Sequence, residues 1–214
     1  HKVLIVAEIG NNHEGDLKVA KKLIIEAASA KVDAIKFQTF IPEYYVSSSD
    51  TERLERLKKF KLSNSQFIEL SELAKSLGLI FFSTPFDIES AKFLDSIQPI
   101  FKISSGDNNF FKLIEIVASF EKPTIISMGM ADMSLVKSIV DFWNTKSSPN
   151  RLSILHCVSS YPVLEGQENI GAIHALSKAF PNITIGYSDH TLGIEAGKLA
   201  VAAGARIIEK HFTL

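Results

Sequence analysis

Short apolar runs alternate along this chain with longer runs in which apolar residues recur every three or four positions. The short runs cover residues 3–10, 34–40, 79–84, 100–105, 123–128, 152–157, 183–188 and 206–211. They are rich in β-branched and aromatic residues, bounded by Gly, Pro, Asn or Asp, and apolar almost throughout, the pattern of strands buried on both faces of a parallel sheet. The longer runs predict helices over 16–31, 65–77, 88–97, 110–120, 132–145, 167–180 and 191–203. The first carries Leu17, Ala20, Leu23, Ile24 and Ala27 on one face; Asp87 is placed to cap the third, and Gly78 and Gly204 to close the second and last. Residues 42–63 exceed an ordinary strand-to-helix connection and hold a charged run, so they read either as a solvated extra helix or as a functional loop over the second strand.

Eight strands and seven helices in alternation predict an α/β fold of the (β/α)8 TIM-barrel type. An open doubly wound sheet is the other candidate, but no Gly-x-Gly-x-x-Gly follows the first strand and the number of units matches the barrel. The expected domain is a single barrel over residues 1–214. Its eighth helix is missing after Leu214, so the natural chain is expected to be longer; at the other end it opens on His1, directly before a strand.

Composition narrows the setting. The chain has 214 residues, 46% of them hydrophobic, which is enough for a large core and excludes disorder. A formal net charge of −1 gives no basic excess to attract nucleic acid. No apolar run approaches the roughly 18–20 residues that span a bilayer. Cys157 is the one cysteine, which excludes an internal disulfide and a cysteine-based zinc site and points to a cytoplasmic setting.

The polar residues gather at the carboxyl ends of the predicted strands, where barrels of this kind keep their active sites. Lys36 and Lys102 sit inside apolar strands. An ammonium buried there needs a carboxylate or an anionic ligand, unless the side chain faces outward and snorkels. With Thr84, Ser105, Ser159 and Ser188, the two lysines would make a phosphate or carboxylate cradle. His190 and His211 end neighbouring strands beside carboxylates and read either as structural histidines or as ligands of a divalent metal. Glu14, on the first strand-to-helix connection, reads either as a surface or cap residue or as a functional acid. His156 is expected to pack within the protein, His174 to lie on a helix surface, and Cys157 to be a small buried residue.

Six segments, in order, resemble the sialic acid synthase family: Ala7-Glu8-Ile9-Gly10-Asn11-Asn12-His13-Glu14-Gly15-Asp16, Lys36-Phe37-Gln38-Thr39-Phe40, Ser83-Thr84-Pro85-Phe86, Lys102-Ile103-Ser104-Ser105-Gly106-Asp107, Gly186-Tyr187-Ser188-Asp189-His190-Thr191-Leu192-Gly193, and Glu209-Lys210-His211-Phe212-Thr213-Leu214. The resemblance implies an enzyme that condenses phosphoenolpyruvate with an N-acetylated hexose such as N-acetylmannosamine. The product is a nine-carbon 2-keto sugar acid, and phosphate is released. It also implies a divalent metal, Mn2+ or Mg2+, an antifreeze-like domain after the barrel, and a homodimer of the full-length chain.

Carried over by position, His190 and His211 match the metal ligands and Glu14 the acidic residue at the reacting centre. Lys36, Thr84, Lys102, Ser105 and Ser188 match the phosphoenolpyruvate cradle. Ser159, Tyr161 and Glu209 complete the substrate-binding set. Val158 and Met128 stand where Thr is common, and Val163-Leu164-Glu165-Gly166 departs from the usual Pro-rich continuation; these positions flank the sugar side. In such a reaction the metal would act as a Lewis acid, Glu14 would orient and deprotonate the water that adds at carbon 2, and the lysines would position phosphoenolpyruvate. Three rivals fit the same residues: another phosphoenolpyruvate–aldose condensing enzyme, a metal aldolase using pyruvate, and a non-catalytic barrel that binds a sugar.

Overall fold

A computed structural model describes residues 2–214; His1 lies outside the described residues. Its strands are β1 (Leu4–Gly10), β2 (Ala34–Thr39), β3 (Ile80–Pro85), β4 (Phe101–Ile103), β5 (Thr124–Ser127), β6 (Leu152–Cys157), β7 (Thr184–Asp189) and β8 (Ile207–His211). They form one sheet in the order β3-β2-β1-β8-β7-β6-β5-β4, in which the first strand neighbours the last. That cyclic order is the (β/α)8 TIM barrel. A doubly wound sheet would reverse its strand order at a switch point and would not bring β1 beside β8.

The helices are α1 (Leu17–Ser29), α2 (Pro42–Tyr45), α3 (Thr51–Phe60), α4 (Asn64–Ser76), α5 (Ile88–Asp95), α6 (Phe111–Ser119), α7 (Met133–Lys146), α8 (Gly171–Ala179) and α9 (Glu195–Ala202). Two of them depart from the seven-helix expectation: residues 42–63 hold both α2 and α3. Helix α3 buries only Leu57, which joins Phe40, Val46 and Phe86 in a small apolar cluster, so the solvated extra helix is the reading that holds. Helices α8 and α9 each start four residues later than their patterns predict. Before α9, Asp189 Oδ1 accepts both the Thr191 N–H (2.9 Å) and the Thr191 hydroxyl (2.7 Å). Val163 bridges to Thr191, so this backbone is committed to a turn and a bridge before a helix can begin.

The described chain divides into two compact halves, Ala7–Ile100 with His211–Leu214, and residues 2–6 with Phe101–Lys210. In the first, Ile35 and Phe37 of β2 bury against Leu23, Ile24, Phe67 and Leu70 of α1 and α4. Side chains alternate across a strand, so Lys36 and Gln38 stand on the opposite face from this helix layer. In the second half, Phe101 of β4 stacks on Phe120 at the end of α6, with ring centroids 5.2 Å apart, which leaves Lys102 on the other face. Period-two alternation thus aims both lysines away from the helices.

Candidate active site

In the half built on Ala7–Ile100, Lys36 is 3% exposed and sits among polar groups. Its Nζ lies 2.8 Å from Glu8 Oε2 and donates to Thr84 Oγ1 at 3.0 Å. Gln38 Nε2 donates to Glu8 Oε1 (3.2 Å), and Asn11 Nδ2 donates to Gln38 Oε1 (2.8 Å). The β2–β3 register sets Gln38 beside Thr84, which brings the threonine hydroxyl within reach of Lys36. The outward, snorkelling alternative for Lys36 is overturned: a buried ammonium survives here because a carboxylate compensates it. Glu8 is the partner that sequence reasoning left unnamed, although a lone carboxylate within the apolar run 3–10 signalled it. Glu14 stands exposed on the turn between β1 and α1, with its backbone in the left-handed region (φ 50°).

The half built on Phe101–Lys210 holds a second buried pair. Lys102, also 3% exposed, donates to Glu209 Oε1 at 3.1 Å, and Ser188 donates to the same oxygen at 3.4 Å. The β7–β8 register aligns Ser188 with Glu209. Glu209 is therefore the counter-ion of Lys102, besides any contact with substrate. Ser105 Oγ accepts the Gly129 N–H at 3.1 Å. A side chain at Gly129 would collide with the hydroxyls of Ser105 and Ser159, so glycine lets the end of β5 approach both serines. Asn108, another residue that sequence reasoning missed, ties this connection down by donating to the carbonyls of Ser127 (3.3 Å) and Gly129 (3.0 Å). Met128, Val158 and Ser159 line one cavity of about 710 Å³ beside α7 and α8.

His190 follows β7. Its Nδ1 donates to the Val158 carbonyl oxygen at 2.8 Å, and its Nε2 lies 3.4 Å from Ser188 Oγ. The Tyr161 ring, 68% exposed, lies over the imidazole at 4.1 Å between centroids. A backbone carbonyl that fixes one ring nitrogen is how proteins orient an imidazole for metal ligation through the other. His211 is exposed at the end of β8, two residues beyond Glu209 and on the same strand face. Among the described residues, no group of three or more His, Cys, Asp or Glu side chains is arranged to hold a metal. Imidazole is a donor that a divalent transition metal takes, and His190 and His211 are the two imidazoles that the sequence singles out for it. The other calls hold: His156 Nε2 lies 2.8 Å from the Glu168 carbonyl oxygen, His174 is exposed on α8, and Cys157 is buried, with burial pushing its thiol pKa up.

Residues 23–214 match the profile of the NeuB family. The chain belongs to this family. Its NeuB relatives include an uncharacterised protein of Methanocaldococcus jannaschii, 44% identical over 98% of this chain and 62% of that protein. The N,N'-diacetyllegionaminic acid synthase of Legionella pneumophila is 40% identical over 98% of this chain and 64% of its own length. Among solved structures, the N-acetylneuraminic acid (sialic acid) synthetase of Leptospira borgpetersenii, in complex with citrate, superimposes with a TM-score of 0.95. It is 41% identical and covers 100% of this chain and 74% of its own. This NeuB chain thus spans about 62% of the archaeal relative's length. The family match covers β2 to β8, including both lysines and both metal-ligand candidates, while Glu8 and Glu14 precede the matched residues.

Proposed function

We propose that this NeuB-family chain carries the catalytic barrel of an enzyme that condenses phosphoenolpyruvate with an N-acetylated hexose, N-acetylmannosamine or a relative. A nine-carbon 2-keto sugar acid forms and phosphate is released. The observation that carries this reading is the pair of buried lysines, each held by a carboxylate and each beside a hydroxyl, in a chain of this family. Such ammonium groups serve the carboxylate and phosphate of phosphoenolpyruvate as charge-assisted donors. Lys36 with Thr84, and Lys102 with Ser105 and Ser188, hold this substrate. The carboxylates of Glu8 and Glu209 compensate the two buried ammonium groups before it arrives.

Carbon 3 of phosphoenolpyruvate forms the new bond to the aldehyde carbon of the sugar, using the electron pair of its double bond; the aldehyde C=O pair moves to its oxygen, which takes up a proton to become a hydroxyl, and a water adds to carbon 2. Glu14 orients this water and takes its proton. Phosphate then leaves carbon 2 and the keto group forms, so phosphoenolpyruvate, sugar and water balance against sugar acid and phosphate. His190 and His211 are the residues that would hold a divalent cation, Mn2+ or Mg2+, which supplies Lewis acidity toward the sugar aldehyde when bound. Ser159 and Tyr161 serve the sugar side. The proposal extends to a homodimeric, cytoplasmic enzyme. Among the described residues, no helix is long and apolar enough to cross a membrane.

The name of the Legionella relative's product favours a second reading of the sugar, as a hexose with two acetamido groups. Met128 and Val158 on the wall of the 710 Å³ cavity are the residues of this chain best placed to choose. The test is phosphate release by the full-length natural chain from phosphoenolpyruvate with Mn2+. N-acetylmannosamine, its 6-phosphate and a 2,4-diacetamido hexose are offered one at a time. Release that depends on one of these sugars and yields a nine-carbon acid is expected. Release without sugar, or with none of them, would overturn the condensation.

A further inference from the structure

The turn between β1 and α1 holds a histidine that the mechanism above leaves unused. His13 is 1% exposed, and its ring leans on Phe37 of β2, with centroids 5.8 Å apart and a 37° tilt. Its Nδ1 accepts the Gly15 N–H at 3.0 Å, so the ring proton resides on Nε2, and that buried nitrogen has no hydrogen-bond partner. A buried polar group left unpaired is a cost to the fold, and a phenyl ring would fill the same space without it. What the imidazole does that a phenyl ring cannot is accept the amide of Gly15.

That amide lies in a backbone of unusual conformation. Glu14 (φ 50°) and Gly15 (φ 84°) are both left-handed, which a glutamate adopts only when its surroundings impose it. A side chain at Gly15 would collide with the Lys59 carbonyl, so this backbone passes close under α3. The neighbouring amides are committed as well: Glu14 N–H donates to the Asn11 carbonyl at 2.9 Å and Asp16 N–H to the His13 carbonyl at 2.8 Å. The ring is thus the side-chain anchor directly beside Glu14. Burial lowers its pKa to about 4, so at neutral pH Nδ1 carries no proton and is free to accept.

We propose that His13 is the positioning residue of Glu14: its buried neutral imidazole takes the Gly15 amide and locks the left-handed turn that presents the Glu14 carboxylate to the reaction. This rests on the reading of Glu14 as the acid at the reacting centre.

The test uses three variants of the full-length chain, assayed for phosphate release from phosphoenolpyruvate with N-acetylmannosamine and Mn2+. His13→Phe keeps the ring volume and removes the acceptor. His13→Asn restores an acceptor, because an asparagine oxygen can take the amide two residues on. Glu14→Gln removes the acid itself. His13→Phe should lower kcat about 100-fold, the scale of a misplaced catalytic group, while KM for phosphoenolpyruvate changes by about twofold or less. His13→Asn should recover most of kcat. The double variant His13→Phe/Glu14→Gln should be no slower than Glu14→Gln alone, because one residue acts through the other.

A His13→Phe variant at parental kcat beside an inactive Glu14→Gln would overturn the proposal alone. So would strictly multiplicative losses in the double variant, or His13→Asn as slow as His13→Phe. Parental turnover by Glu14→Gln would instead show that the reading of Glu14 had failed, and the proposal would fall with it. Should His13→Phe not fold, the unsubstituted protein still decides. Nitrogen-15 correlation spectra at neutral pH should show His13 protonated at Nε2 and bare at Nδ1, and the opposite tautomer would refute the anchor.

Discussion

At the scale of single residues, the costliest groups in this chain are the lysines, and their partners decide what a substitution does. Lys102 and Glu209 are buried together at 3.1 Å, so removing one charge strands the other away from water. Glu209→Gln should therefore lower unfolding free energy by about 3–5 kcal/mol, whereas Lys102→Met/Glu209→Leu should recover most of that loss. Urea titration of the three proteins reads the difference, and a Glu209→Gln protein as stable as the parent would mean that the pair is solvated. His13 bears on pH in the same way. Its pKa is about 4 in the fold against 6.5 when exposed, because burial disfavours the imidazolium. Above about pH 6.5 the ring is neutral in both states and the group is silent. Between about 6.5 and 4 the unfolded chain takes up the proton first, so stability falls as pH falls, by about 3–4 kcal/mol in all at about 1.4 kcal/mol per unit. Burial lowers His156 as well, in the same direction. Denaturation at stepped pH should show the decline, and His13→Asn should flatten it.

At the scale of elements, Asp87 is the one cap that the sequence named, and the structure adds others. Asp16, Asp87 and Asp132 cap α1, α5 and α7 through side-chain oxygens. Asp16 Oδ1 accepts the amides of Lys18 (2.7 Å) and Val19 (3.3 Å), two donors that the first turn of α1 cannot satisfy itself. Asp16→Ala should cost about 1 kcal/mol in a thermal melt, and it leaves β2 and its lysine untouched. The starts of α8 and α9 were illegible for a definite reason. Ile170 and Ile194 precede the observed first residues in helical spacing with the apolar faces, and no side chain caps either helix to mark its start. Asp189 spends its oxygens on Thr191 and on Lys210, whose Nζ lies 2.7 Å away. Periodicity records which residues can face a core, not where competing side-chain bonds end a helix.

At the scale of the whole molecule, the strand order follows from the number of units, since a first strand beside the eighth is what eight right-handed strand–helix repeats produce. The proposed enzyme differs from a passive sugar-binding barrel in needing its metal to turn over. His211→Ala in the full-length chain should abolish metal-dependent phosphate release with little change in melting temperature, because the side chain is exposed and contributes little to the core. His174→Ala, on the exposed face of α8, should change neither. Turnover of His211→Ala with the parental metal requirement would remove this residue from the ligand set.

What the sequence determined by itself was the alternation of strand and helix, the barrel class and the lysines inside apolar strands, because hydrophobic period and an out-of-place charge are local signals. The family, too, was legible, since its motifs are contiguous. The partners of those charges were not. Glu8 meets Lys36 from 28 residues away and Glu209 meets Lys102 from 107, and only strand register and the inward face of the sheet bring them within 2.8 and 3.1 Å. Nor could the sequence tell that Val158 would fix the tautomer of His190, or that His13 would turn inward to hold the backbone beside Glu14. Such contacts depend on backbone position to within a few tenths of an ångström, and that position is set by the packing of the whole fold.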